Sequence, residues 1–109
     1  MTIKHLIDTV GFTPVALPSP EREVHGAYIG DLLSWVMGRA NEDNAWITII
    51  SNSNIVAVAT LADVSCIILA EGVAPDTGVS ETAEAKGINI LSSEKSAYEI
   101  AKMLAEIGI

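Results

Sequence analysis

Basic residues, aromatic residues and cysteine are all scarce in this chain, and each scarcity removes a class of function. Only 6 residues are basic against 14 acidic, giving a net charge of −8 over 109 residues. The basic residues never cluster, so the Lys/Arg footprint of a nucleic-acid interface is missing. Cys66 is the single cysteine, which excludes an intrachain disulfide and any scaffold built on disulfides. It lies in the apolar run Val64 to Leu69 and reads as a small buried hydrophobe. With aromatics at only 5%, Ala, Ile, Val and Leu must fill the core, which suits a parallel sheet covered by helices. No apolar stretch reaches the ~20 residues of a membrane span, and the amino terminus lacks a basic-then-apolar leader pattern. The expectation is a cytoplasmic single domain that contacts neither membrane nor nucleic acid.

The machinery of catalysis is equally sparse. The 8 glycines are scattered, with no Gly-rich loop ending in Lys-Ser/Thr to cradle a phosphate. Phosphoryl transfer also needs Mg²⁺ ligands and a cationic clamp, yet Arg22 and Arg39 are the only arginines and both read as exposed. His5 and His25 have no His or Cys at ligand spacing, so no metal or other cofactor is expected. His5 reads as a surface helix residue and His25 as a strand-edge residue. No serine lies in a G-x-S-x-G elbow; caps and turns explain most of them.

What is present is a pattern of alternating elements. Ile3, Leu6, Ile7 and Val10 at helical spacing, behind Thr2 as a cap, predict a helix over residues 2–10. Thr13 to Leu17 is a weak strand, stopped by Pro18-Ser19-Pro20. A second strand spans Val24 to Ile29 and ends at Gly30. Asp31 then reads as the N-cap of a helix running to about Ala40. A strand begins at Trp46, and Cys66 to Leu69 is another. A helix from about Asp76 to Lys86 stops at Gly87, and Ile88 to Leu91 is the last strand. Ser96 and Glu99 form a capping box for a final helix with Ala97, Ile100, Ala101 and Leu104 on one face. Asn54 to Leu61 is rich in β-branched residues and would be a strand on propensity alone. Parallel strands at 46 and 66 need a crossover between them, so a buried helix capped by Asn54 is expected instead. The fold class is therefore α/β: a three-layer-like sandwich around a largely parallel sheet with βαβ units.

In such a sheet Ser51-Asn52-Ser53-Asn54, Glu71-Gly72 and Ser92-Ser93 all emerge at the carboxyl edge, where ligands bind in parallel α/β folds. Hydroxyls, amides and helix N-terminal N–H groups can hold a phosphate or carboxylate without a dedicated Lys. Alternatively, each polar group caps its own helix. Asp31 either caps the helix after it or adds a carboxylate to the mouth of the site. Trp35, Met37 and Trp46 are open to two readings, anchors for a partner or core residues.

From about Gly26 onward the chain resembles the DRTGG-domain family. The likeness is carried by Gly-Ala-Tyr-Ile-Gly-Asp-Leu-Leu-Ser (26–34) with Val36-Met37, by Trp46 to Ile49, and by Asn54 to Ala59. Ile67 to Leu69, Gly72, Pro75-Asp76, Gly87-Ile88, Ile90 to Ser92 and Tyr98 to Ala101 continue it in one register. It is similar to small stand-alone members labelled as serine kinase of the phosphocarrier protein or as iron-hydrogenase-associated; the catalytic P-loop domain behind the kinase label is absent. The resemblance divides the chain into an amino-terminal helix and weak strand (1–25) packing on a DRTGG-like domain (26–109). It places the name-giving segment at about Ser51, where this chain has Ser-Asn-Ser-Asn and lacks the acid, the arginine and both glycines.

The expectation is thus a non-enzymatic regulatory or interaction module that senses a small anionic ligand, an adenine nucleotide or a phosphorylated small molecule. Its ligand contacts would be Ser51, Asn52, Ser53 and Asn54, with Gly72 and Ser92 opposite and Asp31 at the mouth. It would act as a homodimer or docked on a larger enzyme. The alternative is an accessory subunit of a redox, hydrogenase-related or metabolic complex. That subunit would have no ligand of its own and would dock through an apolar patch at Trp35 or Val36.

Overall fold

A computed structural model describes all residues, 1–109. Five strands form one sheet in the order β1-β5-β4-β3-β2, where β1 is Thr13–Ala16, β2 Ala27–Ile29, β3 Ala45–Thr48, β4 Cys66–Leu69 and β5 Asn89–Ser92. β2 to β5 run parallel, and β1 closes one edge antiparallel to β5. The helices are α1 (Ile3–Val10), α2 (Leu33–Arg39), α3 (Asn54–Ala62), α4 (Val79–Lys86) and α5 (Ala97–Glu106).

Strand alternation sorts the core into two halves. Trp46, Ile67, Leu69 and Ile90 face one side and pack with Val36 of α2, Ile55 and Val58 of α3, and Ala83 of α4. Ile47, Cys66, Ile68 and Leu91 face the other, against Ile3 and Leu6 of α1 and Ile100 and Leu104 of α5. The β2-α2-β3-α3-β4-α4-β5 march crosses the sheet in one direction, so its three crossover helices share one face. The expected three-layer α/β architecture is what forms.

α3 is the helix that propensity alone would have made a strand. Its four β-branched residues disfavour helix by about 2 kcal/mol in total. Burying Ile55, Val56 and Val58 returns about 1.5–3 kcal/mol each, so packing decides the matter. Trp46 is wholly buried, with its indole N–H donating to the Gly30 carbonyl at 2.9 Å, and is a core residue. The thiol of Cys66 is likewise enclosed, and burial pushes its pKa up to about 12.

The amino edge of the sheet is closed by a polar network. Asn89 accepts from the Ser19 N–H and donates to the Ser19 and Ser65 carbonyls. Arg22, expected to be exposed, is three-quarters covered and donates to Asp43 Oδ1 at 3.0 Å and Asp63 Oδ1 at 2.9 Å. Burial opposes its charge, but the hydrogen bonds it donates to Asp63 and Asp43 outweigh that and raise its pKa. Both aspartates sit at positive φ, so Arg22 fastens two left-handed turns at once.

Candidate functional site

Four parallel strands end at the carboxyl edge, and their exits differ in how many polar groups they leave free. At β2, Asp31 does not cap α2, whose N-cap is Leu32 with no side-chain bond. The Asp31 carboxylate instead accepts from the Thr48 hydroxyl at 2.7 Å and the Ile49 N–H at 3.0 Å. It ties the ends of β2 and β3 together, and Thr48 is where β3 stops. Two N–H and O–H donors from one neighbouring exit explain why Asp31 was recruited away from its own helix.

Past β3 the chain turns through Ser51-Asn52-Ser53 into α3. Asn54 is the first helical residue, not the cap; Ser53 occupies the cap position with helical φ and no side-chain bond. Asn52 does the capping work, its carboxamide oxygen accepting from the Asn54 N–H at 3.0 Å. The Ser51 carbonyl accepts from Asp76 N–H at 2.9 Å, which pins the turn to the segment before α4. No protein group accepts from the backbone N–H of Ser51, Asn52 or Ser53, and no side-chain bond engages the hydroxyls of Ser51 and Ser53 or the Asn54 carboxamide. Three successive free N–H groups ahead of a helix are a natural cradle for oxygen anions.

The β4 and β5 exits are closed on each other. Glu71 and Gly72 both hold positive φ, and their N–H groups donate to the carbonyls of Lys95 and Ser93. Gly72 suits the left-handed φ of +69 there, and the Glu94 carboxylate lies against the space a Cβ would take. Gly72 and Ser92 line a 220 Å³ cavity together with Thr13, Pro75 and Glu94. Ser53 and Asn54 instead open onto a 620 Å³ groove between α3 and α4 that runs to Lys86. Of the residues expected to form one site, Ser53 and Asn54 line one cavity, Gly72 and Ser92 another, and Ser51, Asn52 and Asp31 neither, while the Glu94 carboxylate makes the Gly72–Ser92 side unsuited to an anion. Free backbone N–H groups are found on residues 51–53 and also on residues 31–34 at the β2 exit, but only at 51–54 do free hydroxyl and carboxamide groups beside them open onto a groove.

Sequence reasoning had no means of finding Glu94 or Lys86. Each reaches its cavity through tertiary placement, without a local motif. Trp35 and Met37 are exposed, with the Arg39 guanidinium 3.8 Å above the Trp35 ring, whereas Val36 is fully buried and unavailable to a partner. No group of His, Cys, Asp or Glu is arranged to hold a metal, and no helix is long and apolar enough to cross a membrane.

Comparison with known proteins adds two findings. The family model of the DRTGG domain matches residues 20–107. Among solved structures, the chain is similar to the CBS and DRTGG domains of the regulatory region of Clostridium perfringens pyrophosphatase, determined with its activator diadenosine tetraphosphate. The TM-score is 0.71 at 14% identity, over 94% of this chain and 45% of that one, so the likeness is one of fold. This chain thus spans less than half of that regulatory region. No curated protein matches it.

Proposed function

The chain belongs to the DRTGG-domain family, and we propose that it serves as a non-enzymatic, cytoplasmic regulatory module that binds the phosphates of an adenine nucleotide or phosphorylated small molecule. The contacts are the N–H groups of Ser51, Asn52 and Ser53, the two serine hydroxyls and the Asn54 carboxamide. The module works as a homodimer or docked on a larger enzyme. The single observation that carries this reading is the run of three unpaired backbone N–H groups at an exposed turn on the carboxyl edge. The adenine-nucleotide class draws support from the activator bound by the C. perfringens regulatory region. Asp31, its Oδ1 engaged with Thr48 and Ile49, shapes the mouth without touching the ligand. Gly72 and Ser92 keep the neighbouring exits shut and are not contacts in this reading.

Calorimetry with ATP, ADP, AMP and diadenosine polyphosphates tests it. One binder is expected, weakened about tenfold when Asn54 becomes Ala, the order of one lost hydrogen bond. A flat response across the panel overturns the ligand-binding half of the proposal.

A second reading, an accessory subunit without a ligand, is favoured by a different observation. Five of the seven large exposed apolar side chains, Ile29, Leu32, Trp35, Met37 and Ile49, lie on β2, α2 and the residues just after β2 and β3. That region suits docking on a larger partner through Trp35. Stable co-purification that is lost in Trp35→Ala is the outcome this reading expects.

A further inference from the structure

The largest cavity of the molecule is the 620 Å³ groove between α3 and α4, and it adjoins the turn at 51–54, because Ser53 and Asn54 line it. β3, β4 and β5 are parallel neighbours, so their two crossover helices run side by side in one direction. The bond from the Asp76 N–H to the Ser51 carbonyl holds the approach to α4 beside the turn. Lys86, the last residue of α4, therefore stands at the other end of the groove. Along α3 the lining extends from Asn54 in the first turn to Leu61 in the last, about 10 Å at 1.5 Å per residue. The volume lies within the roughly 300–1,000 Å³ of small-molecule sites.

The chemistry of the groove sets it apart from the surface around it. None of the 14 acidic residues of the chain lines it. Val56, Ala57 and Leu61 make an apolar wall. Thr60 and Thr82 commit their hydroxyl protons to the Val56 and Gly78 carbonyls, at 2.9 and 3.0 Å, so toward a ligand those oxygens only accept. Lys86 is the one charged lining residue; it forms no ion pair within the chain and offers only donors. Apolar walls with acceptor oxygens do not suit phosphate, which needs donors. They suit a flat, uncharged body that carries its own donor along with acceptors. Adenine is such a body, with an amino donor and ring-nitrogen acceptors on its edge.

Resting on the reading of residues 51–53 as the phosphate cradle, we infer that the α3–α4 groove holds the nucleoside of the same ligand, which makes that ligand an adenine nucleotide. The base lies on Val56 and Ala57, its amino group meets a threonine oxygen, and Lys86 donates to a ring nitrogen at the outer end. The phosphates leave the groove past Asn54 to reach the free N–H groups of the turn. One helix thus supplies both halves of the recognition, its approach turn for charge and its exposed side for the base.

Calorimetry on the full chain with ATP, inorganic tripolyphosphate and adenosine separates the halves. ATP is expected to bind at least about tenfold tighter than tripolyphosphate, from the apolar surface the base covers. Ala57→Leu fills the groove from an exposed position where Leu is a good helix former, and should bring ATP down to the affinity of tripolyphosphate. Unchanged tripolyphosphate binding in that variant shows that the fold and the turn are intact. Lys86→Gln should weaken ATP about threefold to tenfold and leave tripolyphosphate unaffected. ATP no tighter than tripolyphosphate, or indifferent to Ala57→Leu, overturns the groove inference and leaves the phosphate reading standing. An equal loss of tripolyphosphate in Lys86→Gln also overturns it, since the phosphates would then lie at Lys86. Adenosine bound and then lost in Ala57→Leu, with no tripolyphosphate binding, removes the phosphate cradle and keeps the groove. No binding of any of the three removes both.

Discussion

Asp31, Arg22 and Gly72 each do something their immediate neighbours in sequence do not announce. A carboxylate after a glycine and before a helical run reads as a cap, yet Asp31 gains two donors from the end of β3 that its own helix does not match. Arg22 sits between two glutamates in a polar stretch, yet it is the clasp between the turns at Asp43 and Asp63, with a further bond to the Asp63 carbonyl at 2.7 Å. Replacing Arg22 by Ala should lower stability by about 1–2 kcal/mol, the value of charge-assisted hydrogen bonds reduced for the solvent screening of the half-exposed Asp63. Urea denaturation is the appropriate measurement, and an unchanged midpoint would reduce the clasp to a surface ion pair. These roles were illegible because each depends on residues 17 to 41 positions away, and nothing in the local pattern encodes such partners.

At the scale of the element, the sequence was more informative, and unevenly so. The capping box of α5 was fully legible, since Ser96 and Glu99 carry the signal within three residues and form both reciprocal bonds. The Ser96 backbone N–H and then its hydroxyl hold the Glu99 carboxyl below its ordinary value. A carboxyl with a depressed folded-state pKa contributes stability above its unfolded value, about 4.3, and loses that contribution as pH falls through the folded value. Hydrogen exchange at the first turn of α5 should therefore accelerate as pH is lowered from about 5 to 3, after correction for intrinsic exchange. Glu99→Gln should remove that pH dependence. β2 and α4 were legible in kind but not in extent. β2 holds only Ala27–Ile29 of the expected Val24–Ile29, because Val24 turns into the α1–α5 core and His25 donates to the Asp43 carbonyl. α4 starts at Val79, behind Gly78 at positive φ, while Asp76 is held back by the Ser51 carbonyl. α3 required topology to overrule propensity, and Asn54, expected as its cap, is its first residue, with the N–H of Asn54 satisfied by an Asx turn at Asn52.

For the whole molecule, the layer order and the convergence of strand exits followed from the alternation of periods along the chain. The division of that edge into an open turn and a closed one did not. Whether Glu71-Gly72 faces residues 51–54 or residues 93–95 depends on which carbonyls accept its two N–H groups, and the structure assigns both to the 93–95 side. The turn at 51–54 keeps its donors unpaired beside an open groove, and it lacks the Arg and the Asp of the family's name-giving segment. A ligand held by backbone N–H groups needs neither, at the cost of a charge-assisted contact worth about 1.5–3 kcal/mol, so micromolar or weaker binding is the natural range. The most direct test is a ¹⁵N–¹H correlation spectrum of the full chain titrated with ATP and, separately, with adenosine. The account predicts saturable shifts of the Ser51, Asn52 and Ser53 amides with ATP, far smaller ones with adenosine, and little change at Gly72 and Ser93. Shifts centred on Gly72 and Ser93, or none at residues 51–53, would contradict it.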